Sequence, residues 1–139
     1  MIEARLFSEI FAEFESAETK PAKQAVLQKY WHPTLKTFLE YALNPAIKFD
    51  VIPPESYRPA TEPAGLNITY LDMEVPKLYR FIVGHPQRPD GLTPEKQTKL
   101  LTVVLEALHP DESELLLKLI KKNLGVKGLT IKFVQEAIA

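Results

Sequence analysis

The chain contains no cysteine among its 139 residues. This absence excludes disulfide frameworks, thiolate zinc sites and cysteine nucleophiles together. No stretch approaches the roughly 20 consecutive apolar residues that a membrane-spanning helix needs. The first eighteen residues have polar side chains every few positions, so no signal peptide is predicted. We therefore expect a soluble protein that binds no membrane.

An excess of charge of one sign is also missing. Lys and Arg total 17 against 18 for Asp and Glu, a net charge of −1, which argues against tight, indiscriminate nucleic-acid binding. The charges are nevertheless unevenly distributed. Residues 50–75 are rich in acids, whereas residues 115–133 carry five lysines and no acidic residue. Such polarity suits a directional contact with one partner.

Apolar residues recur mainly at helical spacing, which predicts an all-α fold of about six or seven helices in a single domain, 1–139. The predicted helices are 2–16, 21–31, 33–43, 76–83, 93–108, 112–123 and a last one that follows Thr130. We expect the helix that ends at Leu108, almost wholly apolar along its centre, to form the buried axis of the bundle. Between residues 45 and 72, five prolines and the lack of a helical period predict a long proline-rich connection, which in compact domains is commonly functional or disordered.

The last thirty-one residues, 109–139, predict a C-terminal helical hairpin. Asp111 is a favourable N-cap, and Glu114 three residues later completes a capping box. Gly125 is predicted to occupy a left-handed position after the first helix, and Thr130 to cap the second.

The corner of this hairpin has the composition of an anion site. Glycines and lysines beside exposed N–H groups at a helix start favour the binding of phosphate. The plainer alternative is a hairpin that closes a small core while its lysines solvate the outer face. The candidate DNA-binding residues are Lys118, Lys121, Lys122, Gly125, Lys127, Gly128, Thr130 and Lys132.

No set of residues predicts catalysis. Each histidine precedes a proline, without metal-ligand spacing, which favours roles at helix ends, where a histidine can meet the last carbonyl groups. Asp72 with Glu74 lie two apart and would not share a helical face. We expect no enzyme, no metal and no cofactor. In the long connection, Tyr57 and Arg58 could anchor a partner protein, or Tyr57 could pin the connection to the core.

Three segments carry a resemblance to a protein family: residues 35–49 (LKTFLEYALNPAIKF), residues 78–84 (LYRFIVG) and residues 100–139. They resemble a family of small proteins of large tailed bacteriophages, notably those that infect cyanobacteria. The resemblance covers most of the chain and implies no particular activity. It implies a location in the host cytoplasm or in the virion.

The same elements distantly resemble the N-terminal helical DNA-binding domain of ATP-dependent DNA ligases, with Leu124, Gly125 and Val126 at the centre of the closing signature. This likeness implies that the corner meets phosphates along the minor groove. Ligases continue into a nucleotidyltransferase domain with a Lys-x-Asp-Gly motif. The nearest equivalent here, residues 88–91, begins with Arg88, which cannot supply a nucleophilic amine.

The leading hypothesis from the sequence is a non-catalytic phage accessory protein that contacts the backbone of double-stranded DNA weakly and without sequence preference. The alternative is a protein–protein interaction module that binds a phage or host replication, transcription or virion protein. The two are distinguished by whether the lysines of the corner form one continuous surface.

Overall fold

A computed structural model describes residues 6–63, 66–126 and 128–138 of the chain. The fold is all-α, as predicted. Seven α-helices and one 3-10 helix are present in these residues, and the only β-type pairing there is an isolated antiparallel bridge between Phe49 and Ile82. The helices are α1 (Phe7–Ser16), α2 (Lys20–Tyr30), α3 (Pro33–Leu43), α4 (Leu71–Glu74), the 3-10 helix (Val75–Phe81), α5 (Pro94–Ala107), α6 (Pro110–Ile120) and α7 (Ile131–Ile138).

Four helices begin in the same way, with a polar residue that is followed by a proline in the first turn. The side chain of the polar residue accepts a hydrogen bond from a free backbone N–H, and the proline supplies a helical φ without removing a needed donor. These N-cap residues are Thr19, His32, Thr93 and His109. The predicted start of α6 was wrong, because His109, and not Asp111, caps it.

The sequence predicted that the histidines meet carbonyl groups at the ends of helices, but His32 and His109 lie at helix starts. The Nδ1 atoms of His32 and His109 accept hydrogen bonds from the N–H groups of Leu35 (3.3 Å) and Asp111 (3.1 Å) at helix starts. His85 accepts in the same manner from Gln87 within a turn. A lone pair on Nδ1 makes each imidazole an acceptor for the residues that follow it.

Helix α6 lies at the centre of the packing, where it contacts α1, α3, α4 and α5. Six of its side chains are buried: Glu112, Ser113, Leu115, Leu116, Leu119 and Ile120. The phenylalanines of α1 pack beside it, with the ring of Phe38 5.2 Å from that of Phe7 and 5.6 Å from that of Phe11. Phe14 makes an edge contact with Phe133 of α7.

Helix α5 is not the buried axis that its composition predicted. Its principal helical neighbour is α6, and the side chain of Val103 in its middle is 67% exposed. Helix α5 carries apolar side chains on several sides, but only the side with Leu101, Val104 and Leu105 is buried. A run of apolar residues shows burial potential, whereas the arrangement of neighbours decides which face is covered.

The connection between α3 and α4 is extended and held to the body at several points. The backbone N–H of Asp50 donates to the carbonyl of Phe81 (3.2 Å), and the hydroxyl of Thr98 donates to the carbonyl of Ile52 (2.7 Å). The N–H of Thr69 donates to the carbonyl of Ala107 (3.2 Å). The single helix predicted over 76–83 is instead α4 followed by the 3-10 helix, which ends at Phe81. Residues 2–5 of the first predicted helix lie outside the described residues.

No helix among the described residues is both long enough and apolar enough to cross a bilayer.

Candidate nucleic-acid interface

The corner between α6 and α7 is a turn built around two glycines. Helix α6 ends at Ile120, and Gly125 (φ 70°) and Gly128 (φ 83°) both occupy the left-handed region that glycine adopts without steric cost. Leu124 and Leu129 are buried and anchor the turn to the core. Thr130 then starts α7, and its hydroxyl oxygen accepts a hydrogen bond from the N–H of Phe133 (3.1 Å). The predicted left-handed glycine and the predicted threonine cap are both confirmed.

Lys122 is committed to the body of the protein. It adopts a left-handed backbone (φ 58°), and its Nζ donates to the carbonyl oxygens of Tyr41 and Asn44 at the end of α3. Tyr41 lies in the last turn of α3, and Asn44 is its C-cap, whose carbonyl also accepts from the N–H of Ile47 (3.1 Å). The ammonium group therefore caps α3 and meets the negative end of its dipole. Burial lowers the pKa of Lys122. The amine is therefore used in hydrogen bonds within the protein.

Lys118 lies in a mixed-charge groove between α1 and α6. The groove is also lined by the carboxylates of Glu15, Asp111 and Glu114. These negative charges reduce the positive potential that an approaching phosphate would meet there. Lys118 is exposed, but it stands apart from a purely basic surface.

Among the described residues of the corner, Lys121 and Lys132 are exposed cations. Lys121 directly follows α6, and Lys132 is the second residue of α7. Glu136 lies one turn after Lys132 and pairs with Lys20 of α2 (2.9 Å). The hydrogen bond and charge of Lys20, with a smaller contribution from Lys132, lower the pKa of Glu136.

Helix α2 contributes a lysine that sequence reasoning did not associate with the corner. The side chain of Lys23 passes within 3.8 Å of the position that a Cβ on Gly128 would take. Its Nζ donates to the carbonyl of Phe14 at the end of α1 (2.9 Å). Lys23 thus caps α1 as Lys122 caps α3. Only the packing of α2 against α7, two elements far apart in sequence, brings it here.

The site residues predicted from sequence thus divide into three groups. Gly125, Gly128 and Thr130 form the turn and the start of α7, flanked by the exposed Lys121 and Lys132. Lys122 is half-buried and donates to carbonyls at the end of α3, and Lys118 shares a groove with three acidic residues. Lys127 lies outside the described residues.

A family model matches residues 10–126 of this chain. It is DUF6433, a family of unknown function. The chain belongs to this family. The match runs from α1 to Val126 and stops within the corner, so Gly128, Thr130 and Lys132 of this DUF6433 protein lie beyond it. No curated protein and no solved structure gives a match.

The partner-binding pair predicted in the long connection of the DUF6433 protein is split by the fold. Tyr57 is half-buried against the core, and burial, with a smaller effect of Glu114, raises the pKa of its phenol. Arg58 is exposed, and its backbone N–H donates to the carboxylate of Glu106 on α5 (2.8 Å). Tyr57 therefore pins the connection, which was the alternative interpretation of its role. The exposed apolar side chains of the connection are Ile52, Leu66 and Ile68.

Glu112 is a buried carboxylate that the sequence did not single out. Only 1% of its surface is exposed, and its two oxygens accept hydrogen bonds from the N–H groups of Phe7 (3.2 Å) and Leu71 (3.1 Å). These residues are the first of α1 and α4, while Glu112 itself lies in the first turn of α6. One side chain thus joins three helix N-termini. Burial raises the pKa of Glu112 to about 7, against the opposing effect of the two backbone hydrogen bonds.

Glu74 and Arg88 make contacts within the fold. Glu74 is buried and accepts from the hydroxyl of Thr69 (2.8 Å), whereas Asp72 is exposed. Arg88 pairs with Asp50 (3.0 Å) and donates to the carbonyl of Ile82, which holds the 82–91 turn in place. Within the described ranges, no three His, Asp or Glu side chains converge in a way that could hold a metal ion.

Proposed function

We propose that this DUF6433 protein is a non-catalytic accessory protein of a tailed bacteriophage that contacts the backbone of duplex DNA weakly through the α6–α7 corner. The observation that carries the proposal is the corner itself. Two exposed glycines precede the capped start of α7, with exposed Lys121 and Lys132 on either side. Free N–H groups at a helix start, the positive end of its dipole and nearby ammonium groups together suit a phosphate.

The proposed interface is smaller than the lysine count of the sequence suggested. Lys122 is used to cap α3, and Lys118 shares its groove with three acidic residues, so two or three cations remain to neutralise phosphates. Each neutralised phosphate contributes a log–log salt slope of about −0.9, so the expected total lies between about −1.8 and −2.7. Such contacts position a protein on DNA without sequence preference. The resemblance of the corner to the closing signature of ligase DNA-binding domains supports the same assignment.

The test is a fluorescence-anisotropy titration with a short labelled duplex at several salt concentrations. We expect weak binding that falls with salt along the slope given above and is lost in Lys121→Glu/Lys132→Glu. The matched control is Lys96→Glu/Lys99→Glu, which makes the same change of charge on exposed positions of α5. Equal loss in both variants would show a nonspecific effect of net charge, and no binding at low salt would overturn the proposal.

A protein-binding function is the second candidate, and one observation favours it. Ile52, Leu66 and Ile68 of the long connection are 63%, 70% and 82% exposed. Contiguous exposed apolar surface is typical of contact surfaces for other proteins, so this function requires the three side chains to adjoin one another. The partner would be a phage or host replication, transcription or virion protein. Pull-down from infected cells with wild type and with Ile52→Ser/Ile68→Ser tests it, since loss of the same protein in the variant is expected.

A further inference from the structure

An apolar groove of about 440 Å³ runs between α3 and α7, and Ile131 at the start of α7 is the one lining residue that it shares with the segment proposed to contact DNA. Its apolar lining consists of Trp31, Leu39, Leu43, Ile131, Val134 and Ile138. All of these except Leu39 are only half-buried, so the groove leaves apolar surface in contact with water. A partner that covered this surface would gain the free energy of burying it.

Two opposite charges border the groove on α3. Lys36 and Glu40 are exposed, line the groove and are separated by one turn of the helix. Within the described residues, neither side chain makes an ion pair or a side-chain hydrogen bond. A lysine that precedes a glutamate by four residues is also the less favourable order for a pair within one helix. Both charges are therefore free to meet a partner.

We propose that the groove is the interface of a homodimer, in which α3 packs antiparallel against α3 of a second copy. A two-fold axis that crosses the exposed face of α3 midway between Lys36 and Glu40 would bring Lys36 opposite Glu40 of the partner subunit and Glu40 opposite Lys36 of the partner subunit. A two-fold interface must be self-complementary, because each contact occurs twice with its roles exchanged. An unpaired lysine and glutamate placed symmetrically about one point of a helix satisfy this requirement.

The same two-fold axis would also bury apolar side chains of the groove. Trp31 precedes α3, and Leu43 ends it, so these two residues lie on opposite sides of the axis. Antiparallel pairing would place Trp31 against the Leu43 end of the second copy and bury both. The single tryptophan of the chain thereby becomes a reporter of the interface.

The test combines sedimentation equilibrium with the emission of Trp31 over a range of protein concentrations. The wild type is expected to dimerise reversibly, with a blue shift of the tryptophan emission over the same concentrations. Lys36→Glu or Glu40→Lys alone turns two attractive contacts into two repulsive ones, and each is expected to weaken the dimer by about tenfold or more. The double variant Lys36→Glu/Glu40→Lys regenerates both pairs with reversed sign and is expected to restore dimerisation.

Lys99→Glu on α5 is the control for Lys36→Glu, because it makes the same change of net charge and lies outside the groove. A protein that stays monomeric at high concentration would overturn the proposal. So would a dimer that tolerates the single reversals, because its interface would then lie elsewhere. A double variant as weak as the single ones would show that the helices do not meet about this axis. Circular dichroism of each exposed-site variant separates these outcomes from a failure to fold.

Discussion

Titration of Glu112 should make the stability of the protein depend on pH in a direction unusual for a glutamate. The carboxylate is buried where α1, α4 and α6 begin, and burial raises its pKa from the ordinary value of 4.5 to about 7. The folded protein therefore holds a proton on Glu112 at pH values where the unfolded chain has released it. Its contribution to stability is full below the unfolded pKa and is lost as the pH rises through the folded pKa.

The size of the effect follows from these two pKa values. Between about pH 5 and pH 8, linkage gives a loss of roughly 2 to 3 kcal/mol from Glu112 alone. The variant Glu112→Gln lacks this titration but keeps one acceptor oxygen for the N–H groups of Phe7 and Leu71. At low pH, where Glu112 of the wild type is protonated, we expect the variant to be less stable by about 1 to 3 kcal/mol, because one buried donor loses its partner.

The assay is urea unfolding of wild type and Glu112→Gln at matched pH values across this window. The advantage of wild type over the variant is expected to shrink by about 2 to 3 kcal/mol as the pH rises, because only the wild type loses the bound proton. Subtraction removes the titrations that the two proteins share. A constant difference would contradict a titration in this range. A difference that grows with pH would mean that the three helix N-termini hold the carboxylate ionised and that burial is not the dominant effect.

Two further substitutions test the corner. Lys122→Met should lower the free energy of unfolding by about 1.5 to 3 kcal/mol, because two carbonyls at the end of α3 lose a charged donor. The control Lys121→Met should change the free energy of unfolding by less than about 0.5 kcal/mol. Equal effects of the two substitutions in urea unfolding would contradict the capping role. Gly128→Ala should lower the free energy of unfolding by about 1 to 2 kcal/mol, because alanine is strained at a φ of 83°. Contact is not the cause, since the nearest side-chain atom leaves room for the Cβ. An unchanged stability in urea unfolding would show that the turn can adopt another conformation.

Local signals in the sequence were enough to predict α2 and α3. Pro21 and Pro33 each stand in a first turn before a periodic apolar run, and both starts and both ends were predicted within a residue or two, although His32 was expected to end α2 and instead caps α3. The stripe of phenylalanines in α1 likewise predicted its buried face. In these cases the cap, the first turn and the apolar period agree, so neighbouring residues alone determine the helix.

The features that sequence reasoning missed depend on contacts between distant residues. Glu112 lies in an acidic, outwardly ordinary first turn, and it is buried because Phe7 and Leu71 arrive from 105 and 41 residues away. Lys122 resembles its neighbour Lys121 in sequence, yet it lies beside the end of α3, 78 residues earlier. The exposure of Val103 follows in the same way, because no helix in the described part of the chain covers that side of α5. Such facts belong to the packing and have no local signature.

The most direct test of the proposed DNA contact is an NMR titration of the isotope-labelled protein with a short duplex at low salt, followed through backbone amide shifts. We predict that the shifts concentrate on residues 121–132, above all on the amides at the start of α7, and disappear when salt is raised. Shifts centred on the connection between α3 and α4, or no shifts at a large excess of duplex, would contradict the account.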